Sequence, residues 1–125
     1  MHRMKKTSLL VLAVIAFTAL VTVQAATAPD KKEPWPGVTK TVLLDNGHVN
    51  ISEVTFAAGA VALWHSHPQY TVYAVTDVKM KVEIKGQEAA VAELKAGQAM
   101  WSPAVTHQTS NTGKKPFTVI VTEMK

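Results

Sequence analysis

Gly59-Ala60-Val61-Ala62-Leu63-Trp64-His65-Ser66-His67-Pro68-Gln69-Tyr70-Thr71-Val72-Tyr73 is the stretch whose reading decides the fold. His65 and His67 lie two residues apart, and successive strand residues point to opposite faces. An extended His-x-His therefore turns both imidazoles to one face, where a helix would need a spacing of three or four. A second stretch, Gly97-Gln98-Ala99-Met100-Trp101-Ser102-Pro103-Ala104-Val105-Thr106-His107-Gln108-Thr109-Ser110-Asn111, offers a third imidazole, His107, from another strand. Three neutral imidazoles suit a divalent transition metal: Fe, Mn, Ni, Cu or Zn.

At these residues the chain resembles the cupins. Their first motif is a glycine, five residues, His-x-His, then three or four residues and a glutamate; Gly59, His65 and His67 fit its spacing. Their second motif is a glycine, five residues, Pro-x-Gly, two residues, His, three residues and Asn. Gly97, Pro103, His107 and Asn111 follow it, without the glycine after the proline and with the Pro-to-His interval one residue short. The glutamate of the first motif is replaced: its position falls at Thr71, or at Tyr70 if the next strand sets the alignment. The resemblance covers about Val38 to Lys125. It implies an all-β fold, a cupin-type jelly-roll β-barrel of six to eight strands forming a single domain. It also implies a metal site reduced to His65, His67 and His107, as in cupin relatives such as the thiol dioxygenases.

Ahead of that domain, Arg3, Lys5 and Lys6 precede an uncharged apolar run from Leu9 to Val23, and Val23-Gln24-Ala25 places small residues where a signal peptidase reads. That order defines an N-terminal signal peptide over residues 1–25. The run is shorter than the about 20 apolar residues of a membrane span, so no stable membrane anchor is expected after cleavage. The protein is expected to be exported, periplasmic or secreted. The full chain carries 13 Lys and Arg against 9 Asp and Glu. Removing Arg3, Lys5 and Lys6 leaves 10 against 9, a net charge of +1, so the basic isoelectric point is a targeting feature. It gives no support to a nucleic-acid partner. With no cysteine, no disulfide can staple the domain, and stability must come from sheet closure, a dimer interface or bound metal.

Residues 26–37, rich in proline and charge, read as a flexible leader, in which docking of Trp35 on the barrel is open but not required by the sequence. Strands are expected over Val38–Leu44 and His48–Phe56, joined at Asp45-Asn46-Gly47 by a tight turn of positive-φ residues. Further strands follow over Val61–His67, Thr71–Thr76, Lys79–Lys85, Glu88–Leu94, Ala99–Ser102, His107–Asn111 and Phe117–Glu123. Met80, Val82 and Ile84 alternate with charged residues, as do Phe117, Val119 and Val121 with polar ones. Trp64 should face away from the histidines.

Three neutral ligands leave a metal its full charge and open positions for water or an anionic ligand. Gln69, Tyr70 and Thr71 are candidates to approach it, Tyr73 to line the pocket, and one of Met100 and Trp101 to face the cavity. Three functions are carried forward: a metal-holding barrel with a small-molecule pocket, an Fe-dependent oxygenase on the resemblance, and a metal-free ligand- or partner-binding barrel. A homodimer is expected, with the apolar Val38–Leu44 strand available for pairing.

Overall fold

The computed structural model describes residues 31–32 and 35–125. The expected signal peptide lies outside the described residues, as do residues 26–30 and 33–34 of the expected leader. Ten strands lie among the described residues, in order: β1 (Lys31–Lys32), β2 (Val38–Asp45), β3 (Val49–Phe56), β4 (Val61–His67), β5 (Tyr70–Ala74), β6 (Val78–Ile84), β7 (Ala90–Leu94), β8 (Ala99–Ser102), β9 (Val105–Asn111) and β10 (Phe117–Met124). Among the described residues there is no helix. All strand pairs are antiparallel and form two sheets, ordered β1-β2-β3-β10-β5-β8 and β4-β9-β6-β7. The count exceeds the six to eight strands implied by the resemblance because short β1 and β8 extend the larger sheet at its two edges.

The alternation of β10 sets the floor of the space between the sheets. Phe117 stacks on Phe56 across the strand pair, ring centroids 4.8 Å apart, and closes one end with Val38. Moving along β10, Val119 pairs with Val54, Val121 with Ser52 and Glu123 with Asn50, so the inward face changes from apolar to polar. The floor is therefore dry at the phenylalanine end and hydrogen-bonding at the other.

Two glycines open the two ligand-bearing segments. Gly59 and Gly97 adopt φ of +75° and +87°, conformations in which a side chain would be strained. The Asp45–Gly47 turn departs from expectation, since neither Asn46 nor Gly47 takes a positive φ. Instead the Asn46 side-chain oxygen accepts from the backbone N–H groups of His48 (2.8 Å) and Val49 (2.9 Å), so an Asx turn replaces the glycine-dependent one.

Asn111, the last residue of the second motif, ties three segments together. Its amide nitrogen donates to the Phe56 (3.2 Å) and Lys115 (2.9 Å) carbonyls, and its oxygen accepts from Gly113 N–H (2.9 Å). Its backbone N–H bonds the Ala60 carbonyl, while its own carbonyl accepts from Gly59, joining the ends of the two motifs. Asn111→Ala is expected to cost roughly 2–4 kcal/mol, because three bonds go and buried carbonyls lose a donor. The check is a lower urea midpoint at unchanged m-value.

Candidate metal centre

The three histidines meet on the smaller sheet. His65 and His67 leave β4 on its inner face, and His65 lies opposite His107 of β9 in the strand register. The register slips between Ala62 and His65: three steps on β4 face two on β9, which is a β-bulge. Its effect on side-chain direction is decisive. Ala62 points inward and strict alternation would send His65 outward, yet Leu63 and Trp64 are both outside, 54% and 44% exposed, and His65 returns to the cavity. Trp64 thus faces away as expected, with the Lys85 ammonium 5.5 Å above its ring.

The bulge also supplies an acceptor. His65 Nδ1 lies 2.5 Å from the Leu63 carbonyl, which can only accept, so this nitrogen carries the proton and Nε2 keeps a lone pair. His67 is held in the same way: its Nδ1 donates to Glu123 Oε1 at 2.5 Å. The His65 and His107 Nε2 atoms approach to 3.1 Å, and ligand nitrogens of all three rings lie within 4.8 Å of one another. Two nitrogens each about 2.1 Å from one ion would be this far apart at a ligand angle of about 95°. A ring whose Nδ1 proton is held by an acceptor keeps its Nε2 lone pair for an ion, which is what a metal-ligating histidine requires. The residues fit a divalent transition metal.

His107 is the most enclosed of the three, at 5% exposure. Burial, reinforced by the neighbouring His65 and His67, pushes its pKa down to about 4. It is therefore neutral, the form that coordinates, through the physiological range.

Beside the histidines lies a cavity of about 300 Å³. Val72, Val121 and Phe56 are among its apolar walls, and Asn50, Ser52 and Lys40 among its polar groups. Tyr70 is buried against His67, ring centroids 4.6 Å apart. Burial raises its hydroxyl pKa against the opposing Ser102 side-chain hydrogen bond, and the Glu123 charge raises it further. It stands in the cavity as a neutral phenol.

Of the six pocket positions proposed from sequence, Tyr70 alone lines this cavity. Gln69 and Thr71 are not among its walls, and Tyr73 is exposed on the outer face of the larger sheet. Neither Met100 nor Trp101 faces it: Met100 packs on the core and Trp101 is 59% exposed. Their strand, β8, is next to β9 in sequence but pairs with β5 at the edge of the other sheet, so proximity to His107 along the chain does not carry into space.

Two residues at the site were not assigned to it from sequence. Trp35 packs its indole 5.0 Å from the His65 ring, at the end of the segment expected to be mobile. Glu123 is the acid beside His67, and the signal for it was present: it continues the Phe117-Val119-Val121 alternation by one more step.

Two facing antiparallel sheets, with three strand-borne histidines turned into the space between them, define a small β-barrel with a group of side chains that could hold a metal ion. Residues 52–123 match the cupin domain family, and the chain belongs to it. A cupin domain from Bordetella pertussis Tohama I is 28% identical with a TM-score of 0.67, the alignment covering 72% of this chain and 95% of that one. An RmlC-like cupin from Shewanella frigidimarina NCIMB 400 is 20% identical with a TM-score of 0.57, covering 77% and 84%. The polyketide cyclase RemF from Streptomyces resistomycificus is 14% identical with a TM-score of 0.59, covering 78% and 70%. These last two likenesses concern the fold alone. No curated protein matches the chain in sequence.

Proposed function

We propose that the protein holds one divalent transition metal ion (Fe, Mn, Ni, Cu or Zn) on His65, His67 and His107 and presents it to a small anionic or metal-chelating molecule in the adjoining cavity. The observation that carries this reading is the arrangement of the rings: the Nδ1 atoms of His65 and His67 are each held by an acceptor while one ligand nitrogen from each of the three rings lies within 4.8 Å of the others. Three neutral ligands would leave the ion its full charge and open positions, hence Lewis acidity toward an anionic group. The chain's own residues would orient the ligand. Tyr70 offers a neutral hydroxyl beside His67, and the apolar wall of Val72 and Val121 would exclude water from the ligand's body.

In the same proposal the protein is exported to the periplasm or medium, in keeping with the basic, apolar and small-residue order of residues 1–25. A homodimer belongs to it as well, in keeping with the exposed Leu43 and Leu44 on β2.

The test is elemental analysis of protein recovered from its export route. About one transition-metal ion per chain is expected. Protein devoid of metal, with a melting temperature that no added divalent metal raises, would overturn the reading.

A further inference from the structure

The glutamate missing from the first motif has a counterpart on the strand next to its position, on the sheet that faces the histidines. Glu123 sits on the inward face of β10, between its cross-strand neighbours Asn50 on β3 and Tyr70 on β5. Its side chain is only 23% exposed, and Oε1 lies 2.5 Å from His67 Nδ1. The group of converging ligand atoms is made of the three histidines, and Glu123, which is not in that group, meets His67 at Nδ1, so that Nε2 is the nitrogen left to coordinate.

We propose that Glu123 is the positioning carboxylate of the centre, acting on the metal through His67 and not by ligation. The proposal rests on the metal-holding reading above. Two physical consequences follow from the contact. The carboxylate can only accept, so it fixes the His67 proton on Nδ1 and leaves the Nε2 lone pair for the ion. The same contact fixes the rotation of the ring that would donate to the metal. Direct ligation by this oxygen would require it to leave His67, freeing a ring that has no other partner to set its rotation among the described hydrogen bonds. The negative charge of the centre is thus moved one residue outward, from the cupin motif position on β5 to the neighbouring strand β10 of the same sheet, where Glu123 is the cross-strand partner of Tyr70.

The test compares Zn affinity, by competition with a chromophoric chelator, and the visible spectrum of the Co(II)-loaded protein for wild type, Glu123→Ala and Glu123→Gln. Metal-free melting curves establish that each variant is folded. Glu123→Ala is expected to weaken Zn binding about 10- to 100-fold. Glu123→Gln keeps an oxygen that accepts the Nδ1 proton, so it is expected to recover much of the affinity and to show the wild-type Co(II) spectrum. Zn affinity of Glu123→Ala within about twofold of wild type would overturn the proposal. So would a Co(II) spectrum of Glu123→Gln that reports a lost ligand, since that identifies Glu123 as a direct one. Wild-type protein that binds neither Zn nor Co(II) is a separate result, which removes the metal reading itself.

Discussion

The His65→Ala/His67→Ala double variant is expected to show no metal-dependent change in melting temperature, whereas the wild-type protein gains roughly 10 °C or more from saturating metal. The magnitude follows from linkage. A metal present at about a hundred times its dissociation constant stabilises the state that binds it by about 2.7 kcal/mol. In a domain of about 100 residues each kcal/mol moves the melting temperature by about 4–8 °C. Both rings are only half-buried, so their loss should disturb the metal-free fold far less than it disturbs binding. The informative quantity is the difference between metal-loaded and chelator-treated samples of each protein, measured by calorimetry. An equal rise in the double variant would place the stabilising metal somewhere other than these rings.

The second large effect is the acid response of the metal-free protein. His107 has its folded-state pKa depressed to about 4 by burial and by His65 and His67, while the same residue in the unfolded chain titrates near its ordinary 6.5. Above that ordinary value both states hold a neutral ring and the group contributes no pH dependence. Between the two values the unfolded state binds a proton that the folded state refuses, so stability falls as the pH falls. Below about 4 the folded state binds the proton too, and the loss levels off. Lowering the pH from about 7.5 to about 4.5 should therefore remove roughly 2–3 kcal/mol, seen as a fall in the urea midpoint. His107→Gln should flatten this dependence. An equally steep fall in that variant would show that other groups carry it.

Much of this architecture was legible before any coordinates. The His65-x-His67 spacing reads as one strand face because side-chain alternation is local, and local rules survive into the fold. Gly59 and Gly97 were legible for the same reason, each opening its segment with a positive φ. The bulge at Leu63–Trp64 was not. It is defined by pairing with β9, some forty residues away, and nothing in the sequence of β4 alone marks it. The histidine pair reaches the cavity because of it, so strand parity gave the right relation between His65 and His67 without revealing how they are aimed. Met100 and Trp101 show the complementary failure. Neighbourhood in sequence suggested neighbourhood in space, but the chain changes sheets between β8 and β9. Glu123 was within reach of parity along β10, but the cupin motif directed attention to positions 70 and 71. The function of the missing glutamate was sought at its place in the sequence, where the fold supplies a carboxylate from the end of the chain.

The central claim, that His65, His67 and His107 form one metal-binding centre, is tested most directly by X-ray absorption at the edge of the bound metal. The expected spectrum contains three imidazole nitrogens at about 2.0–2.1 Å, with the outer-shell scattering of histidine rings. It should fall to one imidazole, or the metal should be lost, in the His65→Ala/His67→Ala protein. A first shell made of oxygen alone, or a spectrum that the double substitution leaves unchanged, would contradict the account.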